Sequence, residues 1–430
     1  MAEYEAYKDS GFEWLGNIPV LWPIVLLSQI VTQVKNKNSD LREQNLLSLS
    51  YGRIKRKPID TNGGLLPESF DGYNVIEAND IVLRLTDLQN DHRSLRVGLA
   101  TERGIITSAY TTMRPRNSES AKYLYYLLHT FDIRKGFYGM GSGVRQGLNY
   151  DEVKKLKLPL PTIVEQEAIA AYLDRETKRI DAIIAEAKAS IEEYKAWKAS
   201  IIYEAVTKGL NTDVELADSG IDYIGRIPKH WKLTSLKRIC TRISDGSHFS
   251  PETTNEGYPY VTAGDVHGKG IDYCRCRNIS EEAFDALVKA GCRPQKGDVL
   301  LVKDGATTGR VGLMTDDEPC VLLSSVAMLT PSDTVFSEYL MRLLESEVLQ
   351  FQIRKSMAGS AMPRTTLTKL QSYTVIDCPY AEQVQIAKYL DVKCEMIDKL
   401  IAEKEKLLLD LEAYKKSLIF EVVTGKRKVV

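Results

Sequence analysis

One stretch of 43 residues occurs twice, 217 residues apart and without a gap, and it limits what the rest of the chain can do. The first copy, Glu165–Thr207, reads EQEAIAAYLDRETKRIDAIIAEAKASIEEYKAWKASIIYEAVT. The second, from Glu382, reads EQVQIAKYLDVKCEMIDKLIAEKEKLLLDLEAYKKSLIFEVVT, and neither contains Pro or Gly. Leu173, Ile180, Ile184, Ile191, Tyr194, Ile201 and Ala205 recur at steps built from three and four residues. Leu390, Ile397, Ile401, Leu408, Leu411, Leu418 and Val422 do the same in the second copy. An apolar seam of period ~3.5 held this long is a coiled-coil seam. The frame also takes in Lys198 and Lys415, and a polar seam residue costs stability but fixes register and direction. Each helix should extend about 65 Å. That suits a strut between two bodies better than an element inside one. Paired seams imply an antiparallel arrangement.

The repetition reaches beyond the helices. Residues 8–30 read KDSGFEWLGNIPVLWPIVLLSQI and residues 217–239 read ADSGIDYIGRIPKHWKLTSLKRI. Asp9, Ser10, Gly11, Gly16, Ile18, Pro19 and Trp22 thus match Asp218, Ser219, Gly220, Gly225, Ile227, Pro228 and Trp231. The order is connector, globular stretch, long helix, then the same three again. The globular stretches, about 31–158 and 240–376, carry short β-type runs at 81–85, 97–100, 298–302 and 311–314. Each also holds a helix-like run, at 122–129 and 338–349. Each ends in a loop: Gly139-Met-Gly-Ser-Gly-Val-Arg-Gln-Gly147 in the first, Gly359-Ser-Ala-Met-Pro-Arg-Thr-Thr366 in the second. Thr162 and Glu165 have capping-box spacing at the first helix entry.

The fold class expected is α+β: two α/β domains joined by two long antiparallel helices, with a pseudo-two-fold internal repeat. The boundaries are 1–158, 159–211, 212–377 and 378–430.

A net charge of −1 decides nothing about nucleic acid, since binding needs a local basic surface. No apolar run approaches ~20 residues, and the N-terminus is unlike a signal peptide, so a cytoplasmic chain is expected. Seven cysteines, all from Cys240 onward, argue for free thiols, and none has zinc-finger spacing. HExxH, Walker A and Gly-x-Ser-x-Gly motifs are absent, so no catalytic residue and no metal site is expected. Asp377-Cys-Pro-Tyr380 is read as a helix-entry turn. Duplex DNA is itself locally two-fold symmetric, so paired but divergent domains fit a split, asymmetric target.

With these motifs in hand, the chain resembles the specificity subunit of type I restriction–modification enzymes. The resemblance rests on Asp9–Trp22 and Asp218–Trp231, on PLPTIVEQ at 159–166 leading to IAAYLD at 169–174, and on AEQVQIAKYLD at 381–391. It covers nearly the whole chain. It implies two target recognition domains and no bond-making of the chain's own. It also implies recruitment of two modification subunits that methylate adenine with S-adenosylmethionine. Two restriction subunits that use ATP and Mg can join them. The chain itself would bind no cofactor, and the helical regions would set the spacer and dock the modification subunits. The competing reading is a coiled-coil scaffold that never touches DNA.

Candidate DNA contacts are Arg145, Gln146 and Asn149 in the first loop and Arg364, Thr365 and Thr366 in its counterpart. Arg pairs with guanine O6/N7, and Gln or Asn with adenine N6/N7. The alternative is a polar loop that caps a domain. Ser244, Asp245, Ser247 and His248 either present polar groups to DNA or form a turn. Arg53, Lys55, Arg56 and Lys57 form a basic cluster suited to phosphate, or a solvated charged strand. Arg84, Arg93, Arg96, Lys303 and Arg310 are further candidates, and Lys426-Arg-Lys428 is read as a solvated tail. Glu186, Glu192, Glu193, Glu403 and Glu405 should be a solvated coiled-coil flank. Off-seam Ile183, Trp197, Leu400 and Tyr414 should be covered by a partner or by the recognition domains.

Overall fold

The computed structural model describes residues 3–59, 67, 69–88, 90–91, 94–116, 119–140, 147–268, 270–357 and 363–429. The chain divides into two compact units, Met1–Lys188 with Lys406–Val430, and Ala189–Glu405. The cut falls inside both long helices, so each unit holds the start of one and the end of the other.

The first unit is built on a four-stranded antiparallel sheet of order β1-β4-β2-β3: β1 Val31–Val34, β2 Ile81–Leu83, β3 Val97–Leu99 and β4 Thr111–Pro115. Helix α1, Ala121–Ile133, packs on it through Tyr123, Leu124, Leu127 and Leu128, all buried. The same core takes in Leu173 and Ile180 from α2, Ile163–Lys208, and Leu418, Ile419 and Val422 from the end of α4, Tyr380–Val423. The second unit repeats the plan with β5 Cys240–Asp245, β6 Val299–Val302, β7 Val311–Leu313 and β8 Val326–Pro331 in the order β5-β8-β6-β7. Helix α3, Ser337–Glu345, takes the place of α1. Ile202 and Val206 of α2 join Ile386 and Leu390 of α4 in its core. The strands and helices fall where the apolar runs are, except that the second helical run breaks at Ser346 and resumes over Glu347–Ser356.

Within each unit the two long helices run antiparallel. In the first, the Tyr123 hydroxyl donates to both Pro159 O and Val423 O, while further along Lys415 Nζ lies 2.6 Å from Asp181. In the second, Lys198 Nζ lies 2.7 Å from Asp398. The two seam lysines therefore each have an acid on the opposite helix, which is how a polar seam residue selects one register. Leu173, Ile180, Ile191, Leu390, Ile397 and Leu418 are buried. Ile184, Tyr194, Ile201, Ile401, Leu408 and Leu411 are only partly so.

The connector motif now has a mechanical reason. Trp22 Nε1 donates to Glu165 Oε2 at 3.0 Å, and Trp231 Nε1 to Glu382 Oε2 at 3.1 Å. Each buried tryptophan ties a connector to the first turn of a long helix. Glu165 also accepts from the Tyr4 hydroxyl at 2.6 Å, so its carboxylate serves the connector and not the capping box expected with Thr162. Asp9 and Asp218 accept from the backbone N–H of Gly11 and Gly220, closing the same tight turn twice. No helix among the described residues is long and apolar enough to cross a membrane.

His129 on α1 is half-buried and stacks against Tyr125, at a ring separation of 5.5 Å. Burial, with Lys415 adding repulsion, pushes its pKa down to about 4. The folded state therefore favours the neutral ring more than the unfolded chain does. Its contribution is complete above the ordinary value near 6.5 and is lost as pH falls toward 4, up to about 3 kcal/mol. Denaturant midpoints measured from pH 7.5 to 4.5 should fall less steeply for His129→Leu than for the parent. Parallel profiles would contradict this.

Candidate nucleic-acid interface

In the second unit, β5 and β6 flank β8 and both run antiparallel to it, so they end at the same edge of the sheet. Asp245 closes β5 and Lys303 follows β6, and so residues far apart in sequence emerge side by side. The segment before the short helix Leu367–Ser372 is stitched onto the same place. Gly305 N–H donates to Pro363 O at 3.0 Å and Thr365 N–H to Lys303 O at 2.9 Å.

These three segments assemble a row of charges. Lys303 Nζ, only 3% exposed, lies 2.8 Å from Asp304 Oδ2 and 3.3 Å from Asp245 Oδ2. Asp304 Oδ1 lies 3.0 Å from Arg364 Nε, and Asp245 Oδ2 lies 3.4 Å from His248 Nε2. The ends of the row are solvent-facing, His248 at 70% and Arg364 at 61% exposure. A buried ammonium between two carboxylates is one positive charge short of neutral, and Arg364 supplies the balance. The arrangement offers water an arginine and an imidazole on a base that burial and ion pairing hold still. An outward-facing, steadied guanidinium is what bidentate pairing with a base edge or a phosphate requires.

Several sequence candidates have other employment. Lys303 is buried within that row and cannot touch DNA; its role is to hold the two acids. Thr365 is fully buried and shares a 2.7 Å hydrogen bond with the Tyr373 hydroxyl. Ser247 is buried too. Its N–H donates to Leu322 O and its hydroxyl to Phe249 O at 2.6 Å, while a Cβ on Gly246 would lie 2.0 Å from Leu322 O. The Asp-Gly-Ser run is therefore a pinned turn. Ser244 Oγ accepts from Arg242 Nε, and Thr366 caps Leu367–Ser372 through the Lys369 N–H. Arg310 points elsewhere. Its Nη1 lies 3.4 Å from Val266 O, beside a hollow of about 730 Å³ that it lines with Lys198, His267, Glu345, Gln350 and Asp398.

The first unit uses the same edge of its sheet differently. Leu148 N–H donates to Leu85 O at 2.9 Å, the counterpart of Thr365 on Lys303. Arg96 is fully buried, and this corrects its reading as a DNA contact. Its guanidinium reaches the carbonyls of Arg84, Thr86, Asp87 and Asp91 and the Tyr138 hydroxyl, bracing the loop after β2 from inside. Asp132 accepts from its backbone N–H at 2.6 Å, and burial pushes that carboxyl up to about 6. Arg84 stays partly exposed, 3.6 Å from Asp91. Asn149 forms a capping box with Glu152, so at least its oxygen is committed to the helix start. Arg145, Gln146 and Arg93 lie outside the described residues. In the basic cluster, Arg56 grips Glu102 and Arg53 lies 3.7 Å from Asp181, while Lys55 and Lys57 are exposed. Lys426 is no free tail: its ammonium donates to Leu15 O and Asn17 O.

Asp304, the joint of the charge row, was not singled out from sequence. Its position directly after Lys303 was the available signal, but the partner that gives it meaning is Arg364, at the far side of the domain's sequence. The off-seam Ile183, Trp197, Leu400 and Tyr414 are 38%, 49%, 37% and 50% exposed, so neither globular domain covers them, and a partner is the cover left of the two expected.

The chain matches the family described as Type I restriction modification DNA specificity domain over residues 28–193 and 228–409. It is 26% identical over 333 residues to a Methanocaldococcus jannaschii chain named as the type I restriction enzyme MjaX specificity subunit, spanning 74% of this chain and 71% of that one. It is 23% identical over 276 residues to the type I restriction enzyme EcoBI specificity subunit of Escherichia coli, spanning 62% and 58%. Among solved structures, one from work on complex assembly and conformational transition of the type I R-M system superposes with a TM-score of 0.67 at 15% identity, covering 94% of this chain and 98% of that one. The HsdS subunit from Thermoanaerobacter tengcongensis gives 0.50 at 16% identity, over 95% and 98%. At such identities the structural likeness is one of fold.

Proposed function

The chain belongs to the type I restriction modification DNA specificity family, and on that premise we propose that each of its globular domains reads one half of a split, asymmetric DNA target. The observation that carries this is the doubled match itself. Its two segments, 28–193 and 228–409, each contain one recognition sheet and part of one long helix. Recognition is assigned to 1–158 and 212–377, and spacing and docking to 159–211 and 378–430. The chain performs no chemistry. It works within a restriction–modification assembly, where two modification subunits methylate adenine with S-adenosylmethionine and two restriction subunits can join with ATP and Mg. The exposed Ile183, Trp197, Leu400 and Tyr414 support docking of modification subunits along the helices. Among the described residues, Arg364 and His248 in the second unit, with Arg84, Lys55 and Lys57 in the first, are candidates exposed enough to meet DNA. The scaffold reading is not favoured, because the matched family is one of DNA specificity.

Exchanging residues 31–158 for the equivalent part of another specificity subunit should change one half of the methylated motif and leave the other half and the spacer as they were. Methylome sequencing of cells carrying the chimera and its modification partner reads this directly. Changes in both halves would refute the division of labour.

A further inference from the structure

We propose that each recognition domain carries an apolar wedge, Phe249 in the second unit and Leu41 in the first, that enters the duplex between stacked base pairs beside the bases it reads. This rests on the DNA-reading function above and adds a second kind of contact, one that deforms the target.

The two residues hold the same place in the repeated fold. β1 and β5 are the equivalent edge strands of their sheets, and each wedge sits in the loop that follows. Both side chains are apolar and exposed, Phe249 at 72% and Leu41 at 50%. Both stand on backbone that is held rigid by a buried polar residue. In the second unit Ser247, 6% exposed, accepts from Phe249 N–H at 3.0 Å and donates to Phe249 O at 2.6 Å. The Tyr260 hydroxyl donates to the same carbonyl at 3.2 Å. In the first, Asn38 is 1% exposed. It donates through Nδ2 to Glu43 O at 3.0 Å and accepts through Oδ1 from Glu43 N–H at 3.2 Å, and its carbonyl accepts from Leu41 N–H at 2.9 Å. Leu41 is also in the left-handed region, at φ 55°. A non-glycine residue kept there is strained, and such strain persists only where its surroundings impose it.

A lone exposed hydrophobe on a mobile loop would mean little. Here an apolar tip is held out on a stiff base, twice, at matching positions, and in the second unit the next residue back, His248, belongs to the charge row. Apolar side chains pushed between base steps unstack and kink the duplex. The same unstacking lowers the cost of extruding a neighbouring base, which an enzyme acting on a base inside a duplex requires.

The test uses the full chain with its modification subunits and its own target duplex, with 2-aminopurine placed in one half-site at a time. Phe249→Ala should cut the fluorescence rise in the half-site of the second unit at least threefold and weaken binding about five- to hundredfold. The dependence of binding on salt should not change, because no phosphate contact is lost. Phe249→Trp should restore both signals. Leu41→Asn, which tolerates the left-handed backbone, should affect only the other half-site. Unchanged fluorescence with Phe249→Ala, or equal loss in both half-sites, would overturn the wedge. Failure of Phe249→Ala to assemble with modification subunits would reassign Phe249 as a protein contact and overturn it too. A parent complex that binds all duplexes alike would instead remove the DNA-reading premise.

Discussion

Lys303→Met should destabilise the second unit by about 3–5 kcal/mol, because it leaves Asp245 and Asp304 facing each other without the cation between them. Their carboxylates lie 3.3 Å and 2.8 Å from an ammonium that is 3% exposed. Arg364 can compensate only Asp304. Methionine fills the stem of the lysine, so lost packing contributes little and the effect reports on charge. Chemical denaturation should show the loss. Adding Asp245→Asn should recover a substantial part of it, since the carboxylate that Arg364 does not compensate is then gone. A single variant within 1 kcal/mol of the parent would mean that the row does not hold this edge of the sheet together.

Arg364→Ala should leave the fold nearly untouched and impair recognition. The side chain is 61% exposed, so its loss should cost stability only modestly. One bidentate base contact is worth about 1–3 kcal/mol of discrimination, or roughly five- to hundredfold. Competition binding with the modification subunits present should show relaxed preference at one position of the half-site read by the second unit. Arg364→Lys should not rescue it, because a single ammonium cannot reproduce the two-point geometry. If the variant instead lost affinity equally for every duplex and its salt dependence became shallower, Arg364 would be a phosphate contact.

The long helices were legible because their signal is local and repeated. A seam period needs no knowledge of distant contacts, and two copies confirm each other. The Asp9–Trp22 and Asp218–Trp231 motifs were equally visible, but their purpose was not. The acceptors, Glu165 and Glu382, lie more than a hundred residues away, and nothing in the spacing joins a tryptophan to a particular glutamate. Reading the candidate site fared worst where it relied on residue type. Arg96 and Lys303 were chosen as cations, and the fold buries both, one to brace a loop and the other to bridge two acids. Asn149 and Thr366, chosen as polar loop residues, begin short helices, the common fate of Asn and Thr at such places.

Sequence by itself determined the doubled framework and the paired seams with their two lysines, since each rests on order and period along the chain, while the family came from the resemblance carried by the connector and helix-entry motifs. Tertiary structure alone decided which cations face water. Two strands on either side of a third bring Asp245 and Lys303 together, and backbone pairing then adds Arg364. Exposure follows from that convergence, and no one of the three segments contains it.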